Sequence, residues 1–165
     1  MAAGTGNKPT VYIETTVVSY LTAWPSRDLV RAAQQQQTRD WWDARRDAFE
    51  LVCSELVQQE AAAGDLAAAT ERLKVLADLR VLVATSEAAT LAADLIARLL
   101  LPPRAQPDAL HVAIAATNGI DYLLTWNCRH LSNAVLRPRI EWVCRDNGLE
   151  PPVICTPPEL MEATT

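Results

Sequence analysis

Short apolar runs rich in β-formers alternate along this chain with longer helix-like stretches, and that alternation restricts the fold more than any other feature. The runs fall at residues 10–13, 49–53, 81–84, 121–125 and 153–155. Each is only a few residues long, the pattern of strands buried on both faces rather than on one. Helical stretches are expected at 15–23, 27–46, 54–63, 65–79, from Ser86 to just before Pro102, at 107–119 and, mainly, over 130–146. Their ends carry the usual punctuation: Ser54 and Ser86 as N-caps, Gly64 and Gly119 as stops, Pro107 and Asp108 as an opening pair. Strands separated by helices argue for a parallel sheet covered on both faces. With 165 residues the chain can bury one full core, and it contains neither an internal repeat nor an interdomain linker. One α/β domain is expected over residues 9–156, with 1–8 and 157–165 as tails.

No apolar run approaches the roughly 18 residues needed to span a bilayer, and residues 1–8 lack the apolar centre of a signal peptide. A soluble cytoplasmic protein is expected, with no membrane partner. The four cysteines, Cys53, Cys128, Cys144 and Cys155, form no C-x-x-C pair and read as reduced structural thiols. A zinc site from Cys128, His130 and Cys144 is disfavoured by the chain having only two histidines. The formal charge of −5 neither supports nor excludes a nucleic-acid substrate, because net charge does not say where the charges sit.

In parallel sheets, ligands sit outside the C-terminal ends of the strands. Glu14 closes the first strand and stands at that edge, either as a functional acid or as the start of a helix. Asp108 opens a later helix, whose N-terminus lies at the same edge, either as a functional acid or as a cap. His111 lies one turn along from it, within reach of a hydrogen bond, on a helix apolar nearly all round. Glu60 is the most informative acid. It shares one helical stripe with Leu56, Val57 and Ala61, so it faces inward, where an isolated carboxylate is costly without a partner. Glu55 turns toward the polar side with Gln58 and Gln59. Asn127 follows the fourth strand, as a site residue or an Asx-turn residue. Asp121 begins that strand and reads as structural at the opposite edge. Three acids and one amide from four segments thus meet at one edge, and oxygen ligands suit a hard cation, Mg²⁺ or Mn²⁺.

In this order the residues resemble the PIN-domain family, and within it the VapC-like toxin ribonucleases. The matching pieces are V-Y-I-E-T-T-V-V-S-Y-L at 11–21, S-E-L-V-Q-Q-E at 54–60, P-D-A-L-H-V-A-I-A at 107–115 and D-Y-L-L-T-W-N at 121–127. The resemblance implies a three-layer α/β/α domain with a central, mostly parallel sheet of about five strands. It also implies a Mg²⁺-dependent acidic site that hydrolyses RNA. On it, Glu14, Glu60 and Asp108 are the metal-binding acids, Asn127 takes the fourth position and Thr16 is the hydroxyl that follows the first acid. Two positions depart from the family pattern: Glu14 stands where Asp is usual, and Asn127 where Asp is frequent. Both bear on a cation that demands near-ideal octahedral geometry.

The expected chemistry has Glu14 and Asp108 holding the cation, Glu60 binding it or orienting a water, and Asn127 and Thr16 holding waters or phosphate. Arg27, Arg31, Arg104 and Arg129 are the candidates to steer phosphates toward this edge. Trp24, Trp41 and Trp42 suit core or an interface better than base stacking. The resemblance further implies a homodimer and an antitoxin protein whose peptide blocks the acidic groove. The competing reading is a metal-free binding module on the same fold. A haloacid-type phosphatase lacks its D-x-D, since the segment is Glu14-Thr15-Thr16, and a Rossmann domain lacks its G-x-G-x-x-G loop.

Overall fold

A computed structural model describes residues 7–162, so residues 1–6 and 163–165 of the two expected tails lie outside the described residues. The strands are β1 (Thr10–Ile13), β2 (Glu50–Ser54), β3 (Arg80–Leu82), β4 (Tyr122–Leu124) and β5 (Val153–Cys155). They form one sheet in the order β3-β2-β1-β4-β5, with every pairing parallel. Central β1 places Val11 opposite Leu51 on one side and Tyr122 on the other. Val11, Tyr12 and Ile13 are all fully buried, as a strand covered on both faces must be.

Seven α-helices flank the sheet among the described residues: α1 (Thr15–Thr22), α2 (Leu29–Arg45), α3 (Glu55–Ala61), α4 (Leu66–Leu76), α5 (Ser86–Leu99), α6 (Gln106–Thr117) and α7 (Arg137–Asp146). From β1 the chain steps outward through β2 to β3, then returns to the far side of β1 for β4 and β5. Right-handed crossovers put the helices of these two journeys on opposite faces. The contacts agree: α1 packs against α2, α3 and α4, while α5 packs against α6 and α7. The result is the expected three layers, with the sheet wholly parallel. The order reverses between β1 and β4, and there the C-terminal strand ends open a crevice between diverging connections. At the other end of β1, the Asp121 carboxylate accepts the Thr10 backbone N–H at 2.8 Å and its hydroxyl at 2.9 Å. Asp121 therefore fastens the edge opposite the crevice, as expected.

Three local expectations are corrected. Residues 130–146 are helical only from Arg137, because two asparagines divert the backbone into turns. Asn127 Oδ1 accepts the N–H groups of Arg129 and His130, and Asn133 Oδ1 those of Val135 and Leu136. The third strand is Arg80–Leu82 rather than 81–84: Leu82 pairs with Ser54, beyond which β2 has become α3 and offers no partner to Val83. Pro157–Leu160, expected in a tail, form a 3₁₀ turn. Thr156 and Glu159 close it with a capping box, and Arg137 bonds Glu159 at 3.0 Å.

Two of the tryptophans separate sharply. Trp41 is fully buried and stacks on Phe49, with ring centroids 6.0 Å apart, whereas Trp24 is 92% exposed. Trp41→Ala is expected to cost about 3–5 kcal/mol, and Trp24→Ala to stay within about 0.5 kcal/mol of wild type. Urea denaturation of both variants measures the contrast, and equal midpoints would contradict this packing.

Candidate metal and phosphodiester site

Glu14 is both the last residue before α1 and its N-cap, and its backbone N–H still bonds Leu124 O of β4 at 3.1 Å. Its side chain is only 4% exposed. One oxygen, Oε2, accepts the Thr16 N–H at 3.1 Å, the Thr16 hydroxyl in a short bond, and the Thr125 hydroxyl at 2.8 Å. Oε1 receives no hydrogen bond from the described residues. The threonines extend the arrangement outward. Thr16 Oγ1 accepts the Trp126 N–H at 2.9 Å, and Thr125 Oγ1 accepts the Asn127 N–H at 2.9 Å. Trp126 in turn stacks on Tyr20 and donates from Nε1 to the buried Thr38 hydroxyl at 2.7 Å, joining α1, α2 and the turn after β4.

Glu60 projects from the last turn of α3, a helix started by Ser54, whose hydroxyl accepts the Val57 N–H at 3.2 Å. Its Oε1 accepts the Thr15 hydroxyl at 2.7 Å and pairs with His111 Nε2 at 2.7 Å. No described group donates to Oε2. His111, fully buried on α6, sends Nδ1 to the Tyr12 hydroxyl at 2.7 Å, and that hydroxyl meets Ser54 Oγ at 2.6 Å. Candidate ligand atoms of Glu14, Glu60 and His111 all lie within 4.8 Å of one another.

The two carboxylates sit in opposite electrostatic circumstances. Burial pushes Glu14 above its ordinary 4.5, against the pull of His111 and the threonine hydrogen bonds. Burial acts on Glu60 as well, but there His111 and the Thr15 hydroxyl outweigh it and hold the carboxyl below 4.5. Burial also raises the Tyr12 phenol, so it stays protonated and can act as a donor.

Asp108 lies in the first turn of α6, and its Oδ2 pairs with His130 Nδ1 at 2.8 Å. The hydrogen bond within reach between His111 and Asp108 does not form: the two ring nitrogens of His111 go to Tyr12 and Glu60. Asp108 does not belong to the Glu14, Glu60 and His111 group. It is tied to that group through the turn after β4, where Asn127 holds the His130 N–H at 3.0 Å. The structure therefore brings Glu14, bonded to Thr16, close to Glu60, with Asn127 linked to Glu14 through Thr125 and Asp108 further out, through His130 and Asn127. The carboxamide oxygen of Asn127 is spent on its turn. Glu55 is exposed, as expected. Thr15, Thr125, Tyr12, Ser54 and His130 were not singled out as site residues by sequence reasoning. The one available hint was hydroxyls clustered at the C-terminal ends of mainly apolar strands.

The donor set fits a hard divalent cation. It offers two carboxylates, each anchored through one oxygen and presenting the other, ringed by threonine hydroxyls. Both His111 nitrogens are already engaged, which leaves the oxygens as the free ligands.

No protein-family model matches the chain, and none of the curated proteins does. Solved structures do. A chain of VapBC2 from Rickettsia felis, bound to a promoter DNA fragment, aligns with a TM-score of 0.57 at 12% identity, covering 89% of this chain and 98% of that one. DNA-bound VapBC from Salmonella typhimurium aligns at 0.53 and 15% identity, covering 90% and 98%. VapC20 from Mycobacterium tuberculosis, a Sarcin-Ricin loop cleaving toxin, aligns at 0.52 and 16% identity, covering 72% and 91%. This chain has the fold of those proteins, the VapC-like one that its motifs resemble.

A carboxyl whose folded value lies above 4.5 contributes stability that is complete below 4.5 and lost as pH rises through the raised value. In EDTA at neutral pH, Glu14→Gln is therefore expected to be more stable than wild type, with the gap closing as pH falls toward 4.5. Denaturant titrations of both proteins across that range measure it, and a Gln variant weaker than wild type at neutral pH would contradict the assigned burial.

Proposed function

We propose that this chain is a divalent-cation-dependent endoribonuclease, the toxin of a toxin–antitoxin pair, working at the edge between β1 and β4. The observation that carries the reading is the matched treatment of Glu14 and Glu60, each fixed through one oxygen and free at the other. Two acids so held, at the reversal point of a parallel sheet, make a cation platform that a purely structural pair of carboxylates would not need. The shared fold with VapC chains, one of them an RNA-cleaving toxin, supports the choice of substrate.

Glu14 and Glu60 would hold the cation, with Asp108 as the third acid beside it. A divalent cation there would supply an acidified water and offset charge on the phosphate oxygens; Mg²⁺ is the proposed ion, with Mn²⁺ as an alternative. The other roles belong to the chain itself. Thr16 and Thr125 orient Glu14, Thr15 and His111 orient Glu60, and His130 orients Asp108. Asn127 shapes the turn that brings Asp108 and His130 toward the edge. Arg129, exposed on that turn, and Arg27, Arg31 and Arg104 form no ion pair among the described residues and are available to meet phosphates. Two of the structures it aligns with are VapBC complexes, which supports an antitoxin partner. Exposed Trp24, Leu29 and Val30, around the start of α2, provide apolar surface for that partner or for a second copy in a homodimer. Among the described residues no helix is long and apolar enough to cross a membrane, and action in the cytoplasm is part of the same proposal.

The test is cleavage of structured and single-stranded RNAs by the purified protein in Mg²⁺, Mn²⁺ or EDTA, with Glu60→Gln and Asp108→Asn in parallel. Cation-dependent cutting is expected, reduced by at least roughly 100-fold in each variant, since even groups behind metal ligands are typically worth 10–100-fold. A wild type that neither cuts any RNA nor gains thermal stability from either cation would favour the metal-free binding module.

A further inference from the structure

Ser54, Tyr12, His111 and Glu60 form a continuous polar line from β2 through β1 and α6 to α3. The links measure 2.6, 2.7 and 2.7 Å, and the first three residues are fully buried. Hydroxyls and an imidazole at such positions are costly unless every donor and acceptor is used. Here they are. A carboxylate only accepts, so His111 Nε2 carries the proton that faces Glu60 Oε1. In the neutral ring, Nδ1 then accepts the Tyr12 hydroxyl proton, the Tyr12 oxygen accepts from Ser54, and Ser54 Oγ also accepts the Val57 N–H.

We infer that His111 is a positioning residue, backed by Tyr12 and Ser54, which fixes Glu60 Oε1 from behind so that Oε2 alone faces a divalent cation. The inference rests on the cation site proposed above and goes beyond it in assigning His111. Distance alone would count His111 as a third ligand. Its bonds argue otherwise, because Nε2 cannot take a cation without releasing Glu60, and Nδ1 is turned to Tyr12 on the central strand. Oε1 of Glu60, taken by Thr15 and His111 together, has little left to offer, so the carboxylate approaches a cation through one oxygen. Glu14 is arranged likewise, but by threonine hydroxyls. A planar ring with a nitrogen on each side lets His111 meet Glu60 of α3 and Tyr12 of β1 at once. Positioning partners of this kind are typically worth 10–100-fold in metal affinity.

The experiment is Mn²⁺ binding to the full chain by electron paramagnetic resonance, with melting in EDTA followed alongside. It compares wild type, Glu60→Gln, His111→Ala, His111→Gln and Tyr12→Phe. Tyr12→Phe removes a hydroxyl that does not touch Glu60, keeps the ring in the core, and guards against the case in which His111→Ala fails to fold. The expected result is Mn²⁺ binding by wild type, weakened about 10–100-fold in His111→Ala, partly recovered by the donor of His111→Gln, and weakened measurably in a Tyr12→Phe protein that is still folded. If wild type and Tyr12→Phe bind equally well and His111→Gln is no better than His111→Ala, the positioning role is overturned while the cation site stands. If Glu60→Gln binds as well as wild type, or wild type binds no Mn²⁺, the cation site itself is overturned and this assignment goes with it.

Discussion

An acid held 4% exposed at the end of the central strand is the constraint on which the rest of the crevice depends. Glu14 cannot be left there without partners, because a carboxylate out of water is costly unless its oxygens are satisfied. The chain meets that demand with hydroxyls from two segments far apart in sequence, Thr16 at the start of α1 and Thr125 at the end of β4. Those hydroxyls have second tasks. Thr16 also anchors Trp126 and Thr125 also anchors Asn127, so the turn after β4 is drawn against the start of α1. Asn127 then folds the turn that carries His130 to Asp108. Four elements are thus registered against one buried carboxylate.

Glu60 shows the complementary solution. It is partly open to solvent, and its partners are an aromatic base and a single hydroxyl, that of Thr15, rather than a set of hydroxyls. Its carboxyl is held below the ordinary value while that of Glu14 is held above it. Two acids with opposite tendencies, a few ångströms apart, avoid the full repulsion of two fixed negative charges. They still leave two oxygens on which positive charge is welcome. Glu14 itself serves two ends at once, capping α1 through the Thr16 N–H while its own backbone N–H remains bonded to Leu124 of β4.

Sequence patterns carried the sheet and its edges well. Period, punctuation and apolar character locate all five strands, because a parallel strand buried on both faces has few alternatives in composition. The inward turn of Glu60 was legible for the same kind of reason, since Leu56, Val57 and Ala61 define its helical stripe. So was the separate role of Asp121, which follows from its place at the start rather than the end of a strand. Errors arose where short-range side-chain bonds compete with periodicity. Asn127 and Asn133 turn a helix-like stretch into loops, and Thr156 with Glu159 builds a turn in an expected tail.

By itself, then, the sequence determined the alternating architecture and the set of acids that arrive at one edge, since both depend on local periodicity and strand position. Only the tertiary structure decided how those acids are grouped. Whether His111 serves Asp108 or Glu60 depends on where α3 lies against α6. Whether Asp108 joins Glu14 or pairs with His130 depends on the path of the turn after β4. These are relations between segments tens of residues apart, set by packing over a distance of 2.7 or 2.8 Å. Spacing along a chain fixes which face a side chain presents, but not which neighbour is packed against that face.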